Sequence, residues 1–260
     1  MALAEGRVKT IDLNCDMGES YGAWRMGDDA AVMPLVTSAN VACGFHAGDA
    51  SVMRRTVALA RAHGVAIGAH VSLPDLQGFG RREMRVAPGE LRDLVQYQIG
   101  ALAAIAAAEG ARLAHVKPHG ALYNMAARDR ALADAIALAI REVDATLALY
   151  GLAGSAMVAA ADAAGLAAVG EAFVDRAYER DGSLTPRSVS GAVHETRERA
   201  LEQGVSLARD RSVRARTGET LAIDAATLCI HGDGHDPAGL ARALRDKLAE
   251  AGVGVRAPPR

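Results

Sequence analysis

The histidines and aspartates of this sequence collect directly after short apolar runs. Of the eight histidines, four lie just past such a run and a fifth lies in the loop that follows one: His46, His70, His119, His231 and His235. Four carboxylates take equivalent positions: Asp16, Asp49, Asp175 and Asp233. Such a recurrence predicts an ionisable pocket rather than scattered surface residues. Imidazole and carboxylate groups transfer protons, and they also bind metals that activate water.

Residues 40–49 show the pattern at one junction. An apolar run at 41–43 stops at Gly44, and residues 51–63 then have a helical period. The pattern predicts a strand, a tight polar loop and a helix, and in α/β folds ligands bind at that end of the strands. We expect His46 to take part in the chemistry and Asp49 to cap the helix.

Lys117 lies between a valine and a proline, which is an unusual place for an ammonium group unless it meets acidic groups or an anion. The carboxylates of the first predicted strand are the obvious partners, and a purely structural salt bridge is the alternative. Residues two apart on a strand share a face. Lys117 therefore groups with His115 and His119, and His231 groups with Asp233. His115, in mid-strand, is expected to be packed rather than reactive.

Two interpretations of the pocket stay open at this point. The histidines and aspartates could bind a divalent metal, although no H-x-H or H-x-x-x-H ligand pair occurs. Alternatively, Lys117, Arg81 and Arg82 would neutralise a carboxylate or phosphoryl group, with an aspartate as general base. The sequence has neither a G-x-x-x-x-G-K-[ST] loop nor a dinucleotide fingerprint.

Strand and helix patterns alternate about seven times along the chain and must position these residues. Strands are predicted at 9–16, 41–43, 65–71, 113–116, 146–150, 166–175 and 227–230. Helices are predicted at 28–36, 51–63, 129–143, 155–164 and 191–203, from Pro88 up to Gly110, and from Pro237 onward. Polar loops are predicted at 72–82 and 176–187, and 209–224 is predicted to form a small hairpin. The strand at 113–116 runs into residues 117–124, where no helix is predicted.

The alternation predicts a parallel sheet with helices outside it. No linker divides the chain, so we expect one domain over residues 1–260 with its core at about 9–252. Seven βα units in 260 residues fit an α/β fold of the (β/α) barrel type, and an open doubly wound sheet is the competing architecture.

Composition excludes several classes of protein. A net charge of −2 gives no electrostatic reason to bind nucleic acid or an anionic membrane. No 18-residue apolar run or signal-peptide pattern occurs, so we expect a cytoplasmic location. Cys15, Cys43 and Cys229 are scattered within apolar runs, which predicts buried, reduced thiols; a catalytic thiol is the alternative.

Seven sequence blocks closely resemble the LamB/YcsF family, in order, from about residue 10 to 252. They are DLNCDMGE (12–19), SANVACGFHAGD (38–49), GAH (68–70), GFGRR (78–82), VKPHGALYN (116–124), DRAY (175–178) and HGD (231–233). The resemblance implies a seven-stranded barrel of the glycoside hydrolase/deacetylase type. It also implies a component of an ATP-dependent 5-oxoprolinase, which opens 5-oxo-L-proline to L-glutamate together with two partner subunits.

The resemblance and the residue pattern together give two sets of candidate residues. The catalytic candidates are Asp12, Asp16, His46, His70, Lys117 and His119. The substrate-binding candidates are Asn14, Asn40, Arg81, Arg82, Tyr123, Asn124, Asp175, Arg176, His231 and Asp233.

The implied chemistry assigns roles to these groups. A lactam is a poor electrophile, so coupling to ATP, with Mg²⁺ accompanying the nucleotide, would turn the amide oxygen into a phosphorylated leaving group before water attacks. Arg81, Arg82 or Lys117 would hold the substrate carboxylate. An aspartate of the first strand or His46 would activate water, and His119 and His231 would protonate departing atoms or orient the phosphoryl group.

Four points stay open in the sequence. A stand-alone metal-dependent hydrolase, such as a carbohydrate deacetylase, is the alternative enzyme, and a non-enzymatic sugar- or lactam-binding component is a third function. Whether this chain or its partners bind ATP is not fixed. Neither are the identity of a metal ion or the formation of a homo-oligomer.

Overall fold

The computed structural model describes residues 9–231 and 236–259. Its strands are β1 (Lys9–Met17), β2 (Ser38–Ala42), β3 (Ala66–Val71), β4 (Leu113–Pro118), β5 (Ala148–Leu152), β6 (Ala168–Phe173), β7 (Ser212–Arg214), β8 (Thr220–Ala222), β9 (Thr227–Ile230) and β10 (Val253–Val255). The helices are α1 (Asp29–Val32), α2 (Ala50–His63), α3 (Pro88–Ala108), α4 (Gly120–Arg128), α5 (Arg130–Val143), α6 (Ala156–Ala164), α7 (Arg197–Val205) and α8 (Pro237–Glu250).

Seven parallel strands close into a barrel in the order β1, β2, β3, β4, β5, β6 and β9. The pairing of β1 with both β2 and β9 completes the ring. Closure confirms the predicted seven-stranded (β/α) barrel and excludes the open sheet. Strand β10 extends the start of β1 in parallel, and β7 and β8 form the hairpin predicted at 209–224.

Alternation along β1 explains why the barrel interior is polar. Ile11, Leu13 and Cys15 belong to the hydrophobic core between the barrel and its helices. Asp12 and Asn14 bond to residues of other barrel strands and therefore point inward. Successive side chains on a strand point to opposite faces. The apolar residues of β1 therefore face the hydrophobic core, and its polar residues face the barrel interior.

The helices cover the outside of the barrel with apolar stripes. Helix α3 fully buries Leu91, Val95, Ile99 and Leu102, and each such side chain stabilises the fold by about 1.5–3 kcal/mol relative to exposure. Asp49 caps helix α2, as predicted: its carboxylate accepts a hydrogen bond from the Val52 amide at 2.8 Å. Within the described ranges, no helix combines the length and apolar character needed to cross a bilayer.

One helix was not predicted, and the predicted start of another was wrong. Residues 120–128 form α4, although the Pro-His-Gly sequence before them indicates a turn; Gly120 takes a positive φ of 57° and the helix begins there. Helix α7 begins at residue 197 rather than 191. The Thr196 side chain caps it, and the His194 amide bonds instead to the Asp175 carbonyl.

Candidate active site

A cavity of about 710 Å³ opens at the carboxyl ends of the barrel strands. Its size is typical of small-molecule sites. The ionisable residues in its wall are Asp16, Glu19, His70, Arg81, Glu83, Lys117, His119, Tyr123, Arg128, Arg176, Glu179, Asp181, Arg187 and His231. The structure therefore contains the ionisable pocket that the sequence predicts.

Lys117 forms the centre of an ion cluster at the floor of the cavity. Its Nζ lies 2.9 Å from Asp16 Oδ1 and 2.8 Å from Glu171 Oε1, and it donates to Asn14 Oδ1 at 3.1 Å. The lysine is 2% exposed and Glu171 is fully buried. The ammonium group thus meets the acidic groups that its position in the sequence predicts.

The charges of this cluster hold both Asp16 and Lys117 ionised. Burial alone would raise the pKa of Asp16, but His70 and Lys117 outweigh burial and hold that pKa well below its usual value. Burial alone would lower the pKa of Lys117, yet Asp16, Cys229 and Glu171 raise it well above normal. Asp16 is therefore a weak base, and Lys117 is a permanent cation.

His70 and His119 meet at one wall of the cavity with their tautomers fixed. His70 Nδ1 lies 2.9 Å from the Lys117 carbonyl oxygen, and His119 Nε2 lies 2.9 Å from the Phe79 carbonyl oxygen. A carbonyl oxygen only accepts, so each of these nitrogens carries a proton. The two remaining ring nitrogens face each other at 3.0 Å, and Asp16 Oδ2 lies 3.2 Å from His70 Nε2.

His46 and Glu19 complete a buried group that could hold a metal ion. The His46 ring stacks on His119 with centroids 3.9 Å apart, and its Nε2 lies 3.5 Å from Glu19 Oε1. Donor atoms from Glu19, His46, His70 and His119 all lie within 4.8 Å of one another. Burial, followed by the nearby histidines, lowers the pKa of His46 and His119 well below normal, so both rings are neutral, as metal ligands must be.

The loop between β3 and α3 is folded tightly around these histidines. Asp75 accepts hydrogen bonds from the Gly78 amide at 3.1 Å and from Arg82 Nε at 2.7 Å, which closes the turn. Gly80 has φ +64°, and a Cβ there would lie 2.8 Å from the His46 Cβ and would also overlap Ser72 Oγ. Only glycine fits this backbone without displacing the rings.

Asp175 and His231 form an acid–base pair on the opposite wall. Both Asp175 oxygens lie within 2.9 Å of His231 Nδ1, and the ring stacks on Phe173. Burial opposes ionisation of Asp175, but the charge of His231 lowers its pKa below normal. The carboxylate thus fixes the proton on Nδ1 and leaves Nε2 to exchange protons.

A second polar layer lies beneath the cavity. Asp12 accepts hydrogen bonds from Thr37, Ser38 and Thr227 at 2.6–2.8 Å, and burial raises its pKa. His115 bonds to Asn40 and stacks on Tyr150, so it is packed, as predicted. None of these residues lines the cavity, and Asn40 connects the layer to Asp16 by a hydrogen bond of 2.8 Å.

The predicted site residues take different positions relative to the cavity. The cavity wall contains Asp16, His70, Arg81, Lys117, His119, Tyr123, Asn124, Arg176 and His231. Asp12, Asn14, Asn40 and His46 are buried behind that wall, Asp175 is reached through His231, and Arg82 turns away to bond Asp75. Asp233 lies outside the described residues.

Three residues that line the cavity or support its floor were not among the sequence candidates: Glu19, Glu171 and Arg187. Glu171 lies in a predicted strand at an inward position, and a carboxylate there requires a cation. Lys117 directly follows another predicted strand and is the cation that this carboxylate needs. Matching the two charges would have identified Glu171 as part of the site. Glu19 follows the end of β1 by two residues and gave no comparable signal.

A family model covers nearly the whole length of the chain. The model of the LamB/YcsF family matches residues 11–260. The chain belongs to the LamB/YcsF family. The family assignment agrees with the seven motif blocks. The described parts of these blocks lie at the cavity or in the polar layer beneath it.

Named relatives align with nearly the whole chain. The chain is 61% identical over 247 residues to a 5-oxoprolinase subunit from Bordetella pertussis, covering 95% of this chain and 98% of that protein. It is 54% identical to a 5-oxoprolinase subunit from Geobacillus kaustophilus, covering 97% and 98%. The crystal structure of a lactam utilization protein from Thermus thermophilus matches with a TM-score of 0.90 at 50% identity, covering 96% and 100%.

Proposed function

We propose that this chain is the subunit of an ATP-dependent 5-oxoprolinase that carries the lactam site, and that it acts with two partner subunits. The reaction would open 5-oxo-L-proline to L-glutamate. The observation that carries the proposal is the end-to-end similarity to relatives named as 5-oxoprolinase subunits. The cavity supports it because its charges suit a small anionic lactam.

Arginines at the cavity supply cations for the substrate carboxylate. The Arg176 guanidinium donates to the Thr185 carbonyl at 2.6 Å and to the Ala192 carbonyl at 3.3 Å, which fixes its plane. Burial and then the neighbouring Arg187 lower the pKa of Arg176 to about 10, so it stays cationic at neutral pH. A carboxylate bound between Arg176 and Arg187 would relieve their repulsion, and the fork of a guanidinium suits two carboxylate oxygens.

The acid–base groups at the floor and walls suit lactam opening. ATP would supply the phosphoryl group that activates the amide oxygen. Asp16 would orient the attacking water as a hydrogen-bond acceptor, because its low pKa makes it a poor proton acceptor. His231 would take the water's proton on Nε2 and return it to the lactam nitrogen as the C–N bond breaks, while Asp175 stabilises the transient imidazolium. That cleavage would leave an acyl phosphate on the opened chain, and a second water would hydrolyse it to glutamate and inorganic phosphate.

Lys117 has a supporting role in this scheme. Its ammonium group is already shared among Asp16, Glu171 and Asn14. It therefore holds the floor carboxylate in place and keeps it ionised. This assignment replaces direct contact between Lys117 and the substrate carboxylate.

The site of reaction in the cell follows from the co-substrate and the thiols. Cys15, Cys43 and Cys229 are all buried and form no disulfide. ATP and reduced thiols are both features of the cytoplasm. We therefore propose that the enzyme works there.

Reconstitution tests the proposal. The purified chain is mixed with 5-oxoproline, ATP and Mg²⁺, with and without the two partner subunits, and glutamate and ADP are measured. We expect equal amounts of both products only when all three subunits and ATP are present. Absence of glutamate from every mixture would refute the proposal.

A stand-alone metal-dependent hydrolase is the second candidate, favoured by the buried group of Glu19, His46, His70 and His119. It predicts hydrolysis by the chain alone, without ATP, that a chelator abolishes. An acetylated amino sugar is a suitable first substrate. Such activity would replace the first proposal, and its absence alongside ATP-dependent glutamate formation would remove the second.

A further inference from the structure

We propose that Glu19, His46, His70 and His119 bind one divalent transition-metal ion, with zinc the best match, in the wall of the cavity. The inference goes beyond the lactam reaction and does not depend on it, since metal binding is measured without turnover. Four observations support it, and each concerns a different part of the group.

The first observation is the pair of ring nitrogens that face each other. His70 donates its Nδ1 proton to the Lys117 carbonyl, and His119 donates its Nε2 proton to the Phe79 carbonyl. In their neutral forms, His70 Nε2 and His119 Nδ1 therefore both present lone pairs, 3.0 Å apart. Asp16 Oδ2 also lies 3.2 Å from His70 Nε2, so the two lone pairs and the carboxylate require either a proton or a metal ion between them. Histidines that bind metals characteristically donate their other ring proton to a carbonyl or carboxylate.

The second observation is the state of His46. Its ring is fully buried, and neither ring nitrogen forms a hydrogen bond with any residue that the structure describes. Burying an imidazole without partners is costly. A proton held between His70 and His119 would resolve their contact but would leave His46 unsatisfied. A metal ion bound by His46 Nε2 gives each of the three rings a partner and leaves only His46 Nδ1 without one, so it explains more of the geometry than a proton does.

The third observation is the spacing of the donor atoms. His46 Nε2 lies 3.5 Å from Glu19 Oε1, and His119 Nδ1 lies 3.8 Å from the same oxygen. A tetrahedral zinc ion with bonds of about 2.0–2.1 Å separates its ligand atoms by about 3.4 Å. The measured separations of 3.0, 3.5 and 3.8 Å lie on both sides of that value. Three imidazoles and one carboxylate suit zinc far better than magnesium.

The fourth observation is that the surrounding backbone is shaped to hold the rings. Phe79 takes a left-handed φ of 54°, which is uncommon for a residue other than glycine, and its carbonyl fixes His119. Gly80 leaves no room for a side chain against His46 and His119. Strain of this kind persists where a site requires it.

A nearby group with a similar donor set is a poorer metal site. Asp16, Cys229 and His231 also bring ligand atoms close together. Lys117 Nζ already lies 2.9 Å from Asp16 Oδ1 and 3.1 Å from Cys229 Sγ. A cation there would meet the buried ammonium group, so the metal is assigned to the histidine wall.

Metal titration of the isolated chain tests the site. The purified chain is stripped with a chelator and titrated calorimetrically with Zn²⁺, Co²⁺ and Mg²⁺. We expect one equivalent of Zn²⁺, one of Co²⁺ with the visible absorption of a tetrahedral complex, and binding of Mg²⁺ that is weaker by at least about 100-fold. Absence of saturable uptake of Zn²⁺ and Co²⁺ would overturn the proposal.

Two ligand variants and one control locate the ion. Glu19→Gln keeps the shape of the side chain, and His119→Gln removes one imidazole; His63→Gln makes the same change at an exposed helical histidine. Circular dichroism in chelator identifies the variants that fold. We expect each folded ligand variant to bind Zn²⁺ more than about 100-fold more weakly, since changes to groups that only orient ligands already cost about 10- to 100-fold. His63→Gln should bind normally. Undiminished binding by both ligand variants would overturn the assignment.

Discussion

Replacing Lys117 with methionine tests the ion cluster at the floor of the cavity. Methionine has a similar length but no charge, so Asp16 and Glu171 would lose the ammonium group that lies 2.9 and 2.8 Å from them. Removing one partner of a buried ion pair destabilises a protein by about 3–5 kcal/mol, because the remaining charge stays buried. In a chain of this size, that loss lowers the Tm by about 6–20 °C.

The pH dependence of this loss separates it from a simple packing defect. In the wild type the folded-state pKa of Asp16 lies below its unfolded value. The pair therefore contributes its full stability above pH ~4, and the contribution is lost as pH falls through the folded-state pKa. The difference between Lys117→Met and wild type should then shrink in acid, whereas a packing defect would be independent of pH.

Urea denaturation followed by circular dichroism measures both effects. Lys247→Met is the matched control, since that lysine is exposed and pairs with Glu250 at 2.7 Å; its loss should be at most about 1 kcal/mol. A loss of less than about 1 kcal/mol for Lys117→Met at neutral pH would refute the description of the cluster as a buried, charged unit.

Three further substitutions have distinct expected results. Asp175→Asn cannot stabilise a protonated His231, so glutamate formation by the reconstituted enzyme should fall by about 100-fold or more; an unchanged rate and pH profile would exclude the pair from proton transfer. Gly80→Ala forces a positive φ and overlaps His46, and should cost about 2–5 kcal/mol in a urea melt; a smaller loss would mean that the loop can move. Asp49→Ala removes the cap of α2 and should cost about 1 kcal/mol in the same assay; no loss would show that the cap is dispensable.

The strand pattern predicted the barrel well because each strand ends at a recognisable change from apolar to polar residues. Parity placed Lys117 on one face with His115 and His119, and Lys117 does meet Asp16 of β1, as predicted. Helix α4 was not predicted because the Pro-His-Gly sequence at its start is typical of a turn, although the helix begins at that glycine. Local sequence does not distinguish a loop from a short helix that packs against α5 and α6.

The depth at which each residue lies in the barrel could not be predicted from the sequence. Asp12 and Asp16 share a face of β1, yet Asp12 is sealed among hydroxyl groups and Asp16 reaches the cavity. Which layer opens to solvent depends on strand stagger and on the lengths of the loops, and neither is a local property. Arg82 likewise followed the expected motif but turned to Asp75, because the tight turn places that carboxylate beside it.

The central claim is that the cavity of this protein is where the lactam opens, and Asp16→Asn tests it most directly. The variant keeps the shape of a residue that lines the cavity, and its assembly with the partner subunits can be verified by gel filtration. Glutamate and ADP are then measured in the reconstituted enzyme. We predict that the wild type forms both and that the assembled variant forms glutamate at least about 100-fold more slowly. A wild-type rate from the assembled variant would contradict the claim.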